Sequence, residues 1–314
     1  MCLIFFFFNL TTKAQKNNYK IITQDALNFW QAYDSLKPGM DTIAIFQKFV
    51  IDRASKEFKI FIKQWNITSK NYALQVKAYP KFYASIKNNS IALCMNENKI
   101  RELVKDLNKL YPNFTPANIC IGLGNFSTGG TISTSSKDIC VYIGLEYHSL
   151  DSLAVISELN SNTRGYVSRS NFYRTVIHEL VHVQQHTHGK KVIKSYYGEA
   201  LASAILREGI PEFIAELIYP YGENGDHFSY GLQHEPELKE KLKKELWQKD
   251  KIFWIYNSAS NTTIPKDLGY FMGYSIAKQY FLNNNADDDA IKDIIEIKDI
   301  KRFIEKSGIP AAWT

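Results

Sequence analysis

Apolar residues recur at intervals of three and four over most of the first hundred positions. The stretches "ALNFWQAY", "IAIFQKFVI", "FKIFIKQW" and "KIRELVKDLNKLYP" all have this spacing, which is typical of helices with one buried face. Asp41 and Asn96 are residue types that cap helix N-termini, and Pro112 ends the last of these helices. The pattern predicts four or five helices between Gln24 and Tyr111.

The pattern changes at Pro116, after which glycine, serine, threonine and β-branched residues dominate. The apolar runs Ile119–Leu123 and Ile139–Leu145 predict two strands. Within the turn-rich link between them, Gly124–Lys137, the sequence predicts a short edge strand at Thr131–Thr134. Helical spacing then returns and continues to the end of the chain. The sequence therefore predicts an α+β fold that is mostly helical, with a small sheet in the middle.

The first residues resemble a secretory signal. An apolar run, Cys2–Phe8, precedes the stretch Thr12-Lys13-Ala14, which approximates a cleavage site of small residues. The run is too short to cross a bilayer as a helix of the mature protein. We therefore expect residues 1–14 to be a signal peptide, the protein to be exported, and the mature chain to have no transmembrane helix.

Charge and cysteine content exclude two other classes of protein. The formal net charge is +6, but lysines alternate with acids, as in "ELKEKLKKELWQKD", which is typical of a solvated helix face. We expect no nucleic-acid partner. Without the signal, Cys94, Cys120 and Cys140 remain, and an odd, widely spaced set is not a disulfide scaffold. Cys120 and Cys140 are expected to be buried thiols, with a single bridge between them as the alternative.

The stretch "HELVHVQQHTHG" carries the strongest chemical signal. An apolar stripe predicts one helix over Asn171–Thr187. On this helix His178 and His182 lie four residues apart on one face, where two imidazoles can share one tetrahedral zinc ion. Glu179, the next residue round the helix, can reach a water molecule beside the metal without binding the metal, as a general base does. The alternative is a helix with partly exposed histidines.

A third ligand is expected from the stretch "LREGIPEFIAEL". Because proline is tolerated in a first helical turn, Pro211 predicts a helix that begins near Gly209. Such a helix presents two acids, four residues apart, on one face. Glu208 can then bind zinc, and Glu212 can accept a hydrogen bond from the far ring nitrogen of a ligand histidine. The alternative is two glutamates on an exposed helix face.

HExxH followed by a second helix with "EGIPE" resembles the gluzincin metallopeptidases, the group that includes thermolysin and the large zinc aminopeptidases. The resemblance implies that Glu208 is the third zinc ligand, that Glu212 supports the first histidine, and that Glu179 is the base. It also implies that the sheet offers an edge strand to an extended peptide, and we place that segment at Gly129-Gly130-Thr131. The aminopeptidase pattern has asparagine before the ligand glutamate, where this chain has Arg207.

The chain is also similar to a family of uncharacterised bacterial proteins that are predicted zinc-dependent proteases. The shared features are HExxH, an EGxxE/A helix and a late aromatic repeat like "LGYFMGYSIAKQYF", and they extend over about Ile119–Phe281. The late repeat is similar, too, to a segment of gliding-motility lipoproteins. We accordingly expect residues 15–112 to be an N-terminal helical region and residues 113–314 to be a zincin-like metallopeptidase domain.

A competing assignment comes from the metzincin pattern HExxHxxGxxH. His188 stands at the third ligand position of that pattern, and Met272-Gly273-Tyr274 resembles its Met-turn. The glycine of the pattern is Gln185 here. Without glycine the helix is not free to turn back and bring His188 to the metal.

Two tyrosines of the late aromatic segment are candidates for stabilising an oxyanion. Tyr270 and Tyr274 lie four residues apart, and either hydroxyl could donate to a tetrahedral intermediate. The alternative is that both belong to an aromatic core stripe. His227 and Tyr230 are weaker candidates for the same role.

These observations predict an exported metallopeptidase that holds one Zn²⁺ per chain and hydrolyses peptide bonds in a peptide or protein substrate. One alternative is a non-catalytic protein of the same fold that serves in the envelope or in motility. A second alternative is a zinc hydrolase that acts on a non-peptide amide.

Overall fold

A computed structural model describes residues 18–133, 139–168, 170–189, 200–221, 225–256 and 264–308. These residues are mostly helical and contain one four-stranded sheet, so the predicted α+β class is confirmed. The predicted signal peptide, residues 1–14, lies outside the described residues. Among the described helices, none combines the length and the apolar character that crossing a membrane requires.

Six α-helices precede the sheet's central strands in the part of the chain that the structure describes. They are α1 (Gln24–Asp34), α2 (Thr42–Phe46) with a π-helical turn (Gln47–Ile51), α3 (Lys56–Gln64), α4 (Ser69–Ala78), α5 (Pro80–Met95) and α6 (Glu97–Leu110). The described helices after the sheet are α7 (Ser161–Val167), α8 (Phe172–His188), α9 (Leu201–Ile218), α10 (Asp226–Gln233), α11 (Glu235–Glu245), α12 (Leu268–Asn283), α13 (Asp288–Ile295) and α14 (Ile300–Lys306).

The sheet consists of β1 (Ile21–Ile22), β2 (Asn118–Gly122), β3 (Gly130–Ser133) and β4 (Cys140–Gly144) in the order β1-β2-β4-β3. β1, β2 and β4 run parallel, whereas β3 is antiparallel to β4 and forms one edge. The sequence predicted β2 and β4 to within a residue or two. It predicted an edge strand beginning at Thr131, and the observed strand begins one residue earlier. The short strand β1 was not predicted.

Helices cover both faces of the sheet. On one face, the rings of Phe58 and Phe61 from α3 lie against Gly122 and Tyr142, and Phe61 stacks on Tyr142 with ring centroids 4.9 Å apart. On the other face, Gly130 of β3 lies directly against α8. Both central strands are therefore buried on both sides, which is why they are continuously apolar.

Cys120 and Cys140 are buried free thiols. The register of β2 and β4 places Cys120 opposite Tyr142 and Cys140 opposite Asn118, so the two cysteines are offset by two residues, and neither forms a bridge. The alternative of a bridge between them is therefore wrong for this structure. The division at residue 112 stays a prediction, although β1 and β2, from either side of it, pair in one sheet.

The second ligand-bearing helix does not begin near Gly209, as the sequence predicted. α9 begins at Leu201, and Pro211 lies in its interior. Eleven of the twelve residues from Leu201 to Glu212 are buried, so packing stabilises the extra turns at the start of the helix. Pro211 has no N–H, which leaves the carbonyl of Arg207, four residues earlier, without its helical donor.

α9 crosses α12 in direct backbone contact at two glycines. A Cβ atom on Gly209 would lie 2.2 Å from the carbonyl carbon of Gly273, and one on Gly273 would lie 1.8 Å from the carbonyl oxygen of Ile205. Neither position has room for a side chain. Met272, Gly273 and Tyr274 are therefore part of a helix and not of a Met-turn. The contact brings the first turn of α12 beside Glu208.

Candidate metal centre

α8 and α9 bring three potential ligands together. Oε2 of Glu208 lies 3.6 Å from Nε2 of His178 and 3.3 Å from Nε2 of His182. One ligand atom from each of the three side chains lies within 4.8 Å of the other two. In a tetrahedral site with bonds of about 2.05 Å, neighbouring ligand atoms are about 3.3 Å apart. The donor set and its spacing therefore fit a zinc ion.

The local sequence explains how α8 presents its histidines. The helix begins at Phe172, because the Asn171 side chain accepts a hydrogen bond from the backbone N–H of Arg174. Apolar residues at helical spacing fill one face of α8 and are buried; they are Phe172, Val176, Leu180 and Val183. His178 and His182 lie on the adjacent stripe, which faces α9.

The far ring nitrogen of each histidine has its own partner. Nδ1 of His178 lies 2.9 Å from Oε1 of Glu212, and Nδ1 of His182 lies 2.9 Å from Oε1 of Gln185. Arg174 in turn donates to Glu212 at 3.4 Å. Because both partners are acceptors, each Nδ1 donates a proton to its partner, and Nε2 is the ring nitrogen that faces Glu208 and that would bind a metal.

The other oxygen of Glu208 is also held. The hydroxyl of Tyr256 donates to Oε1 at 2.5 Å, and Nε of Arg207 donates to the same oxygen at 3.3 Å. These two contacts turn Oε2 towards the histidines. The carboxylate is therefore oriented before any metal binds.

The charges of the cluster favour a cation at its centre. Burial opposes a charge on His178, but hydrogen bonds to Glu208 and Glu212 outweigh burial and raise the pKa of the imidazole to about 10. Burial also opposes ionisation of Glu208, but the two histidines and Arg207 hold its pKa well below the usual value. Similarly, His178 and Arg174 lower the pKa of Glu212 to about 2 against the effect of burial. The same carboxylates that favour a charge on His178 would also stabilise a metal cation at the centre of the cluster.

Glu179 lies beside this cluster. It is buried, and burial raises the pKa of its carboxyl group. A Cβ atom on Gly130 would lie 2.6 Å from Oε1 of Glu179 and 2.7 Å from Cγ2 of Thr175. Glycine at this position therefore lets β3 approach the helix at the carboxylate.

A cleft of about 650 Å³ opens over His178 and Glu179. Gly129 and Gly130 line it, whereas Thr131 does not appear in its wall. Nε2 of His148 lies 2.8 Å from the carbonyl oxygen of Gly129, which anchors the start of β3. The predicted substrate segment and the predicted base thus border the same cleft.

Only one of the two candidate tyrosines lies at the cleft. Tyr270 lines the cleft, and its ring lies nearly parallel to that of His178, with centroids 6.2 Å apart. The hydroxyl of Tyr274 instead donates to Glu216 and accepts from Lys278, both at 2.7 Å. Tyr274 is therefore occupied elsewhere, and the prediction that it serves the site is not supported.

Of the two weaker oxyanion candidates, only His227 lies at the cleft. His227 lines the cleft and contacts the ring of Tyr270 edge-on, with centroids 6.1 Å apart. Tyr230 stacks on His234 with ring centroids 4.2 Å apart, and it is not among the residues that line the cleft.

His188 points away from the cluster. Its Nε2 lies 2.9 Å from Oγ1 of Thr115, and its ring contacts Tyr111. α8 continues as a regular helix through Gln185, so nothing turns His188 back towards His178. The metzincin alternative is therefore not supported.

Three residues of the site were missed from the sequence. Arg174 precedes His178 by one helical turn on the same stripe, and this spacing could have revealed it. Gln185 was considered only as a replaced glycine. Tyr256 lies 48 residues beyond Glu208, and no local pattern marks it.

Fold and site together define an α+β protein with a largely buried cluster of two histidines and one glutamate beside a small sheet. A family model described as "Predicted Zn-dependent protease (DUF2268)" matches residues 156–300, a little under half of the chain. The matched range contains all three candidate ligands as well as Glu179, Glu212 and Tyr270. No curated protein and no solved structure matches the chain.

Removing the third ligand tests the cluster as a metal site. Glu208→Ala is expected to lose most of the bound zinc, because the two histidines then lack the carboxylate that completes the set. Glu212→Ala should weaken zinc affinity by about 10- to 100-fold, since it releases His178. The measurement is zinc per chain after purification without chelator.

His188→Ala is the control for this experiment, because it removes a histidine of the same helix that bonds to Thr115. It should keep its zinc. Zinc retained in Glu208→Ala but lost in His188→Ala would reverse the assignment of the third ligand.

Proposed function

We propose that this protein is a zinc-dependent peptidase, with zinc held by His178, His182 and Glu208. The observation that carries the proposal is the convergence of these three donors beside Glu179, where His178 and Glu179 line an open cleft next to the edge strand β3. The match to a family described as predicted Zn-dependent proteases supports it.

When bound, zinc would supply Lewis acidity, polarising the scissile carbonyl and making a water molecule more acidic. Glu179 would accept the proton of that water as it attacks the carbonyl carbon, and would then deliver the proton to the leaving amine. The position of Glu179 supports this role, because its carboxylate borders the cleft without belonging to the ligand set.

The substrate would be an extended peptide that pairs with β3. Within the described residues, β3 pairs with β4 on one side and has no strand on the other. A peptide added at this edge would form backbone hydrogen bonds that do not depend on its side chains. Because Gly130 lies against Glu179, a peptide bond held opposite this part of β3 would lie within reach of the base.

Tyr270 would donate its hydroxyl to the carbonyl oxygen as negative charge develops there. Its place in the cleft wall, parallel to His178, supports this assignment over the neighbouring Tyr274. His227, which contacts Tyr270 edge-on, is the second candidate for the same contact.

Glu179→Gln tests the catalytic proposal. The variant should keep its zinc and lose at least about a hundredfold in hydrolysis, the usual scale for removing a general base. Zinc content and turnover on an unbiased peptide library are the two measurements. Loss of zinc, or full activity, would show that Glu179 is not the base. A zinc-loaded wild-type protein that cleaves no peptide would favour a non-catalytic envelope or motility role.

A matched pair of tyrosine variants tests the oxyanion contact. Tyr270→Phe should lower turnover by roughly 10- to 100-fold without loss of zinc, because one donor to the developing charge is removed. Tyr274→Phe removes a hydroxyl from the same helix, one turn further on, and should leave turnover unchanged. Equal turnover in both variants and the wild type would transfer the role to His227.

We also propose that the protein is exported. The apolar run Cys2–Phe8 and the Thr12-Lys13-Ala14 stretch support this location. N-terminal sequencing of the mature protein from its host should find a start at or near Gln15. Retention of Met1 in a cytoplasmic pool would contradict export.

A further inference from the structure

We propose that Gln185 is a positioning residue for the metal centre. We also propose that Pro211 in α9 determines the orientation of the Gln185 amide. The side chain of Gln185 hydrogen-bonds both to His182 and to the backbone carbonyl of Arg207, to which Pro211 cannot donate because it has no N–H. The inference rests on the proposed zinc site and adds the means by which the second histidine is held.

Pro211 cannot make one of the regular hydrogen bonds of α9. In a regular helix the N–H of residue 211 would donate to the carbonyl of Arg207, and proline has no N–H. A buried carbonyl needs hydrogen-bond donors, and a side chain of a neighbouring helix can supply one. Nε2 of Gln185, from the neighbouring helix, donates to the Arg207 carbonyl oxygen at 3.1 Å.

This contact fixes the orientation of the Gln185 amide. A carbonyl can only accept, so the end of the Gln185 amide that faces Arg207 must be the NH₂ group. The oxygen end therefore faces Nδ1 of His182, at 2.9 Å. An amide oxygen also only accepts, so Nδ1 must carry a proton, and in the neutral ring the lone pair lies on Nε2. The backbone of α9 thus selects the ligand tautomer of a histidine on α8.

Gln185 is fully buried, so water cannot replace either hydrogen bond when the amide is removed. The carbonyl that it contacts belongs to the residue immediately before Glu208. Gln185 therefore connects the second ligand to the helical turn that carries the third, and fixes their relative position.

The adjacent Gln184 provides a matched control. It is also fully buried, and its amide bonds to Thr115 and to the carbonyl of Leu180, away from the cluster. Gln184→Met and Gln185→Met each remove one buried amide at neighbouring positions of one helix. Both variants should lose thermal stability, but only the second alters a contact to a metal ligand.

The test is zinc affinity by competition with a chromophoric chelator, together with the absorption spectrum of the Co²⁺-substituted protein. Gln185→Met should bind zinc about 10- to 100-fold more weakly and shift the Co²⁺ bands, as expected for loss of a partner of a ligand histidine. Gln184→Met should leave both unchanged. Unchanged zinc affinity and Co²⁺ bands in Gln185→Met would overturn the proposal.

Pro211→Ala tests the role of the proline without touching Gln185. The restored N–H would compete for the Arg207 carbonyl, so zinc affinity should fall while helix stability is kept or improved. Gln185→Glu should lower zinc affinity less in the Pro211→Ala background than in the wild type, because the N–H of residue 211 can then donate to the Arg207 carbonyl. Additive effects of these two changes would overturn the link to Pro211. These variants also serve if Gln185→Met does not fold.

Zinc binding and peptide cleavage by the wild-type protein distinguish an error about Gln185 from an error about the zinc site. A wild-type protein that binds no zinc would overturn both. A wild-type protein that binds zinc and cleaves peptides, with Gln185→Met indistinguishable from it, would overturn only the role of Gln185.

Discussion

The buried carboxylate of Glu208 is the group on which the rest of the site depends. A carboxylate removed from water is unfavourable unless charges and hydrogen bonds compensate for it. Arg207 and Tyr256 satisfy one oxygen, and the two histidines face the other. This compensation requires α8, α9 and Tyr256 to meet at one point. The architecture around the cluster can be understood as the means of bringing them there.

Glycine provides the close approaches that this meeting requires. At the crossing of α9 and α12, Gly209 and Gly273 let two backbones touch, which carries Tyr270 to the wall of the cleft. At the sheet edge, Gly130 lets β3 lie against Glu179. In each case a Cβ atom would overlap its neighbour and separate the elements. The shape of the cleft therefore follows from the absence of side chains at a few positions as much as from the groups that line it.

The two histidines are held by different kinds of partner. Glu212, a carboxylate paired with Arg174, holds His178, whereas a neutral amide anchored to a backbone carbonyl holds His182. An ionised partner stabilises a charge on the imidazole that it contacts, whereas a neutral amide mainly fixes the orientation of the ring. Both histidines face Glu208, but the partner of the far ring nitrogen is charged for His178 and neutral for His182.

Local spacing was enough to predict α8, the shared face of His178 and His182, and the shared helix face of Glu208 and Glu212. These features depend on helical periodicity, which relates residues only three or four positions apart. The start of α9 could not be predicted, because burial of its first turns outweighs the local preference of Pro211 for a helix start. The separation of Tyr270 from Tyr274, the amide bridge of Gln185 and the contact of Tyr256 with Glu208 depend on which helices pack together and at what distance. Such contacts join residues far apart in the chain, and only the tertiary structure decides them, because packing and not periodicity sets the distance between their side chains.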